Sequence, residues 1–290
     1  MDINRFRVRP NRDVKLRDHD TADTAPFKSK RKAAGRLERG VNRLVALGEQ
    51  LYAQDRWALL VIFQAMDAAG KDSAIKHVMS GLNPQGTQVC SFKRPSDEEL
   101  DHDYLWRTTK VLPERGRIGI FNRSYYEEVL VVRVHPEILG RQRLPPELVT
   151  RRLWNERFED INAFERYLVR NGTIIRKIFL HMSKEVQKKR FLERLDQPSK
   201  NWKFAAADLE ERDHWDAYVR AYEQVLSRTS TKHAPWFVVP ADHKWFSRLV
   251  VAEIVVSALE SLDLSFPPAS PAHAAELADA RKRLAEEPEP

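Results

Sequence analysis

A single cysteine, Cys90, is all the thiol this chain carries. It can neither close an internal disulfide nor furnish a cysteine-based zinc site, so a disulfide-stapled secreted domain and a zinc finger are both excluded. Glycine is scarce, 10 in 290 residues, and with only 16 prolines the chain is neither collagen-like nor largely disordered. The longest uninterrupted apolar run, Trp57 to Phe63, is seven residues. A bilayer crossing needs roughly 20, so no membrane contact is expected. The N-terminus, MDINRFRVRPNRD, lacks the apolar stretch and cleavage site of a secretory signal, and the chain reads as cytoplasmic. No period of about 20 to 50 residues recurs, which sets solenoids and propellers aside. The HExxH and GxSxG patterns are missing too, so the nine histidines read as surface or hydrogen-bonded residues and no nucleophilic serine stands out.

What is present is a globular composition, 42% hydrophobic and 31% charged, with 49 Lys and Arg against 42 Asp and Glu for a net +7. That excess points to an anionic partner: nucleic acid, nucleotide or inorganic polyanion. Residues 1 to 50 hold 13 of the basic residues against 7 acidic ones, and read either as a solvated arm or as a polyanion contact. Short apolar runs alternate with helix-length segments. WALLVIF (57–63), TQVCSF (87–92), RIGIFN (117–122), TIIRKIFLHM (173–182) and APWFVVP (234–240) read as buried strands of a parallel sheet, which makes Cys90 a small core residue. Ser96-x-x-Glu99 and Ser124-x-x-Glu127 have the form of capping boxes that start helices. The expected fold class is therefore α/β, a parallel sheet covered by helices on both faces. Residues 183 to 228 interrupt the alternation with charged helical sequence, including a long amphipathic stretch from Ala205 to Ser227, and read as a helical lid. The domain reading is a basic arm and first helix over 1–50, a phosphate-binding domain over 51–265, and a flexible tail over 266–290.

Chemistry concentrates after the first strand, in Ala65-Met66-Asp67-Ala68-Ala69-Gly70-Lys71-Asp72-Ser73. A loop that joins a buried strand to a helix and ends in Gly-Lys cradles phosphate oxygens on backbone N–H groups, while the lysine reaches outward. Ala65 replaces the first glycine of the general pattern and Asp72 its hydroxyl residue, so Asp67 is the candidate Mg²⁺ ligand. Ser73 reads either as a supporting hydroxyl or as a first-turn helix residue. The third strand ends at Asn122 where a related fold would place a carboxylate. Either Glu127 or Glu128 supplies charge there, or the metal rests on Asp67 and phosphate oxygens, and Glu127 reads equally well as a cap for Ser124. Arg123 is placed to neutralise a transferring phosphoryl group. Arg190 and Arg194, like Lys184 and Lys188, stand four apart, a like-charge spacing that a nearby anion would compensate. Lys93, Arg94, Arg107 and Lys110 are placed to line a path for a long anion.

Five ordered blocks, QAMDAAGKDSAIKHVMSGLNPQG, WRTTKVLP, IGIFNRSYYEEVLVVRVH, RLDQPSKNWKF and HAPWFVVPADHKWF, resemble the family-2 polyphosphate kinases, in their AMP- and ADP-phosphorylating branch, over roughly residues 5 to 265. The resemblance implies a P-loop kinase core similar to thymidylate kinase with a helical lid, and Mg²⁺-dependent transfer (Mn²⁺ as substitute) between polyphosphate and AMP, ADP or ATP. It implies that Asp67 and Glu127 hold metal, that Asp67, Lys71 and Arg123 are catalytic, that Gly70 and Lys71 hold phosphate, and that Arg190, Arg194, Lys200 and Lys203 clamp phosphates in or beside the lid; Ala68, Ala69, Asp72 and Ser73 of the loop and Lys93, Arg94 and Lys110 of the basic group complete the expected phosphate contacts. Asn122, Glu127, Lys200 and Lys203 would meet the nucleotide. Asn122 stands where many relatives have Asp, which favours acceptance of AMP as well as ADP. An ATP-dependent nucleotide kinase on the same core is the rival reading, followed by a nucleic-acid-binding protein with a vestigial phosphate loop. The expected state is a homo-oligomer, dimer or tetramer, with no nucleic-acid partner.

Overall fold

Runs of branched and aromatic residues bounded by turns become strands, and the charged amphipathic segments between them become helices. The computed structural model describes residues 1–287. In chain order the elements are α1 (Lys30–Gln54), β1 (Ala58–Ala65), α2 (Lys71–Val78), β2 (Thr87–Ser91), α3 (Asp97–Leu100), α4 (Trp106–Thr109) and β3 (Ile118–Asn122). Then follow α5 (Val131–Val134), α6 (Leu153–Arg170), β4 (Thr173–His181), α7 (Lys184–Asp196), α8 (Ala207–Asp213), α9 (Trp215–Thr229), β5 (Trp236–Pro240), α10 (Lys244–Glu260) and α11 (Pro271–Ala285). The five strands form one parallel sheet in the order β2-β3-β1-β4-β5.

β1 is buried along its whole length because both of its faces are covered. Leu59, Val61 and Phe63 enter one core with α1, α2 and α10, while Leu60 and Ile62 enter the other with α6 and α9. That two-sided burial is why the strand reads as a continuous apolar run. The chain builds β2 and β3 to one side of β1 and β4 and β5 to the other. The crevice beyond the carboxyl end of β1 is therefore a topological switch point, where ligands of open α/β sheets collect.

Several expectations are corrected. β2 is an edge strand, not a buried one: Val89 is 52% exposed, and Cys90 is only partly covered. The N-terminal segment is no solvated arm. Phe6, Val8, Val14 and Leu16 are buried in the two cores, and the Val8 N–H donates to the Trp236 carbonyl at 2.9 Å, so the segment lies along β5. α1 continues to Gln54 and packs on α10, which places residue 50 inside a helix of the core. The tail forms α11, exposed throughout, with the Ser270 hydroxyl accepting from the His273 N–H; residues 288–290 lie outside the described residues. Finally, the stretch from Ala205 to Ser227 is two helices broken at His214. α9 buries Tyr222, Val225 and Leu226 in the core, leaving residues 197–213 as the part that overhangs the sheet.

Beneath β4 lies a polar group that the sequence reading did not anticipate. Lys177 is fully buried in mid-strand, with Nζ 2.5 Å from Glu165, 2.9 Å from the Tyr126 hydroxyl and 2.6 Å from the Thr229 carbonyl. Tyr125 and Tyr126 both donate to the other Glu165 oxygen, at 2.9 and 2.7 Å. A buried charge is tolerated only when paired and hydrogen-bonded, and here every partner is supplied.

Candidate active site

The loop after β1 is shaped by two residues in left-handed backbone, Ala68 at φ 63° and Gly70 at φ 105°. For Gly70, the N-cap of α2, this costs little. For Ala68 it stores strain, of the kind found where a loop must meet a ligand. The loop's carbonyls are held from behind by α7. Gln187 Nε2 donates to the Asp67 carbonyl at 3.0 Å, and Arg190 Nη1 donates to the Ala68 and Ala69 carbonyls at 3.0 and 2.9 Å. With the carbonyls taken, the first-turn N–H groups of α2, which have no intrahelical acceptor, are left for an anion in the cleft. Lys71 Nζ bonds the Ala65 carbonyl at 3.1 Å, and burial together with the nearby Arg123 pulls its pKa below the usual lysine range.

Arg123, also left-handed at φ 66°, follows β3 and lies between two carboxylates, 3.0 Å from Asp67 and 3.4 Å from Glu127. Glu127 and Asp67 hold its guanidinium firmly protonated against the opposing effect of burial. Asn122, one residue earlier, donates to Asp72 at 2.6 Å and so ties the end of β3 to the first turn of α2. Ser124 opens a 3-10 turn rather than an α-helix, and its hydroxyl accepts from the Tyr126 N–H. Glu127 makes no cap and turns instead to Arg123. Glu128 is buried against Arg157 and Gln142, which removes it from the candidate metal ligands.

A cleft of about 770 Å³ opens here, lined by Asp67 to Ser73, Lys93, Arg94, Asn122, Arg123, Arg190, Arg194, Lys200, Lys203 and Lys244, with Glu193 and Asp208 as its remaining acids. A second cavity of about 210 Å³ adjoins it, lined by Glu127, Gln187, Glu211, Trp215, Tyr218 and Tyr222. Asp67, Arg123 and Asp208 border both. Most of the expected site residues thus converge on one place.

The exceptions have physical reasons. Lys110 is exposed outside the cleft, its ammonium 4.1 Å above the Trp106 ring. Arg107 is buried and donates to the Lys93 carbonyl at 2.8 Å, supporting the β2 loop rather than facing an anion. Arg190 borders the cleft, yet its guanidinium is spent on the Ala68, Ala69, Ala241 and Asp242 carbonyls, which makes it a strut for the loop. Lys184 and Lys188 lie away from both cavities. Lys244, which the sequence reading passed over, lines the cleft at the start of α10, and burial beside Arg190 pulls its pKa down. Its position just beyond the carboxyl end of β5 was the available signal. Trp202 and Asp208 were missed as well, and Asp208 holds Arg194 at 3.5 Å.

Among the described residues no three His, Cys, Asp or Glu side chains gather into a closed metal cage. An open set of one or two carboxylates beside phosphate-binding groups is nevertheless what a hard divalent cation uses when substrate phosphates complete its shell. Half-exposed Asp67, with Glu127 across Arg123, fits that requirement.

Comparison with known proteins shows the family. A family model described as polyphosphate kinase 2 matches residues 27–267. An ADP-polyphosphate phosphotransferase of Rhodopseudomonas palustris is 53% identical over 280 residues, covering 96% of this chain and 97% of that protein. An AMP/ADP-polyphosphate phosphotransferase of Meiothermus ruber is 44% identical over 266 residues, covering 91% of this chain and 96% of the relative. The crystal structure of a polyphosphate kinase 2 from Arthrobacter aurescens superposes with a TM-score of 0.87 at 40% identity, covering 95% of each chain.

Proposed function

The chain belongs to the polyphosphate kinase 2 family, and on that premise we propose that its cleft moves phosphate from inorganic polyphosphate to AMP and ADP, giving ADP and ATP in a reversible reaction. One observation supports the reading: a single cleft gathers Lys71, Lys93, Arg94, Arg123, Arg194, Lys200, Lys203 and Lys244 against the acids Asp67, Asp72, Glu193 and Asp208, an excess of cations suited to a polyanionic donor. An ATP-dependent nucleotide kinase would leave Lys93 and Arg94 without a role. The family's kinases work with a divalent cation, and we take it here to be Mg²⁺, with Mn²⁺ able to replace it.

Donor and acceptor are both polyanions, so the chemistry needs charge neutralisation and in-line alignment more than acid–base catalysis. An oxygen of the acceptor phosphate forms a bond to the terminal phosphorus of polyphosphate as the bridging P–O bond breaks. No proton has to move, because the acceptor oxygen is already ionised. Lys71 and the loop N–H groups hold the donor. Arg123, bordering both cavities, stands where the two chains of phosphate meet and stabilises the charge on the transferring group. Asp67 and Glu127 would hold the cation, which when bound screens the negative charge of the phosphates. Arg194, Lys200 and Lys203 clamp the donor from the overhang, and Asn122 sets the end of β3 beside the nucleotide. No described helix is long and apolar enough to cross a membrane. A cytoplasmic homo-oligomer, dimer or tetramer, without nucleic-acid or membrane partners, is part of the same proposal.

The test is to incubate the purified protein with long-chain polyphosphate, Mg²⁺ and either AMP or ADP, and to separate the nucleotides. ADP and ATP are expected from AMP. ATP from ADP alone would remove AMP from the acceptors, and no product from either would return the ATP-donor kinase.

A further inference from the structure

α7 presents donors to three successive carbonyls of the phosphate loop, but they are not equivalent. Arg190 serves Ala68 and Ala69 and is itself fixed by the Ala241 and Asp242 carbonyls, at 2.7 and 3.0 Å, within the body of the fold. Gln187, one turn earlier and 3% exposed, serves Asp67, and its other end is held by the overhang. Arg212 on α8 donates to Gln187 Oε1 at 2.7 Å and to the Lys184 carbonyl at 2.9 Å. A side-chain amide has one acceptor end and one donor end. With Oε1 committed to a guanidinium, Nε2 is forced toward the Asp67 carbonyl. If Arg212 withdraws, the amide loses its charge-assisted partner and is held only by the single bond from Nε2 to the Asp67 carbonyl.

We propose that Gln187 is a positioning residue that couples the seating of lid helix α8, through Arg212, to the geometry of the phosphate loop at Asp67, so that the loop is set for polyphosphate when α8 is docked. This rests on the polyphosphate reading of the cleft and adds to it how the lid communicates with the loop. The contact is placed for that purpose. Gln187 and Asp67 line the smaller cavity together with Ala207, Asp208 and Glu211, the residues α8 itself contributes. The α8 segment has a second tie through Glu211, which accepts from the Tyr218 hydroxyl at 2.7 Å, so loss of Arg212 alone does not release the helix.

The test is a double-mutant cycle on Gln187→Met and Arg212→Ala, reading kcat, KM for polyphosphate and the melting midpoint, with the Arg212→Lys variant alongside. Each single variant is expected to lower kcat about tenfold, less than the roughly hundredfold that a 1 Å misplacement of a reacting group can cost. The double variant is expected to lose no more than either, about tenfold where independent sites would lose about a hundredfold. Arg212→Lys, which retains a donor to Oε1, restores most of the rate. Without added metal, the rise in melting midpoint caused by polyphosphate shrinks equally in both single variants and the double. Gln187→Glu keeps the acceptor for Arg212 but sets a carboxylate against the Asp67 carbonyl; it is expected to behave as Gln187→Met and serves if that variant fails to fold. Additive losses, or a Gln187→Met protein with parental kcat and parental polyphosphate shift, would overturn the coupling while leaving the function intact. A parental protein that forms no nucleotide product from polyphosphate defeats the function itself, and the coupling with it.

Discussion

Arg123 is the residue on which two carboxylates, two cavities and a strained backbone converge. Arg123→Ala is expected to lower kcat by about 10²- to 10³-fold, the loss typical of removing a preorganised charge-stabilising group, while the melting midpoint stays near parental; steady-state kinetics beside a thermal melt checks both. Glu165→Leu does the reverse. It strands buried Lys177 and two tyrosine hydroxyls, so a destabilisation of about 3–5 kcal/mol is expected in a denaturant titration. At this scale the sequence was legible wherever function is local. Asp67, Gly70 and Lys71 announce themselves because a phosphate cradle must be one continuous turn between strand and helix. Arg190 was read as an anion clamp because it stands four residues from Arg194, a like-charge spacing that suggests an anion; its actual acceptors come from two loops far apart in the chain. Lys177 did give a signal, a lysine inside an apolar strand, but its partner Glu165 could be found only once α6 was laid against β4.

Elements were legible in number and order and less so in their surroundings. The five strands and their parallel pairing follow from apolar runs separated by helical lengths, yet nothing in TQVCSF says that β2 is the strand left at the edge, since edge position is set by topology. The lid was drawn too long for a similar reason: α9 is as amphipathic as a lid helix, and only packing shows its apolar face turned into the core. What remains as overhang carries Lys200 and Lys203, and the Lys200→Ala/Lys203→Ala double variant is expected to raise KM for polyphosphate severalfold with little change in kcat, an effect that added salt should diminish in the parent. The N-terminal segment is expected to answer to pH. His181 Nε2 bonds the Leu16 carbonyl at 3.1 Å, and burial pulls the pKa of His181 and of neighbouring His19 below the usual imidazole value. Because the folded pKa is depressed, the stability tied to neutral imidazole is complete above the ordinary value and drains away as pH falls through the lowered one. The melting midpoint is therefore expected to drop between about pH 7 and about pH 5, and His181→Asn, measured over that range, should flatten the decline.

At the scale of the whole molecule, the site is a property of the sheet. Loops from the carboxyl ends of β1, β2, β3 and β5, with α7 behind, bring to one cleft residues from Asp67 to Lys244 that no linear motif connects. The N-terminal segment and α1, set apart in the sequence reading, are built into that body, so removal of residues 1–24 would uncover Phe6, Val8, Val14 and Leu16 and is expected to destabilise the whole fold in a thermal melt. The net positive charge of the chain also finds its use here, because the cleft gathers the cations that a polyanionic donor requires. The decisive experiment compares the parental protein with its Lys71→Ala variant, each given polyphosphate, Mg²⁺ and ADP with no added ATP, and follows ATP by chromatography beside a thermal melt. ATP should form with the parent and fall by orders of magnitude in a variant that melts where the parent does. A parent that makes no ATP, or an equally stable variant that makes as much, would contradict the claim that this cleft transfers phosphate from polyphosphate.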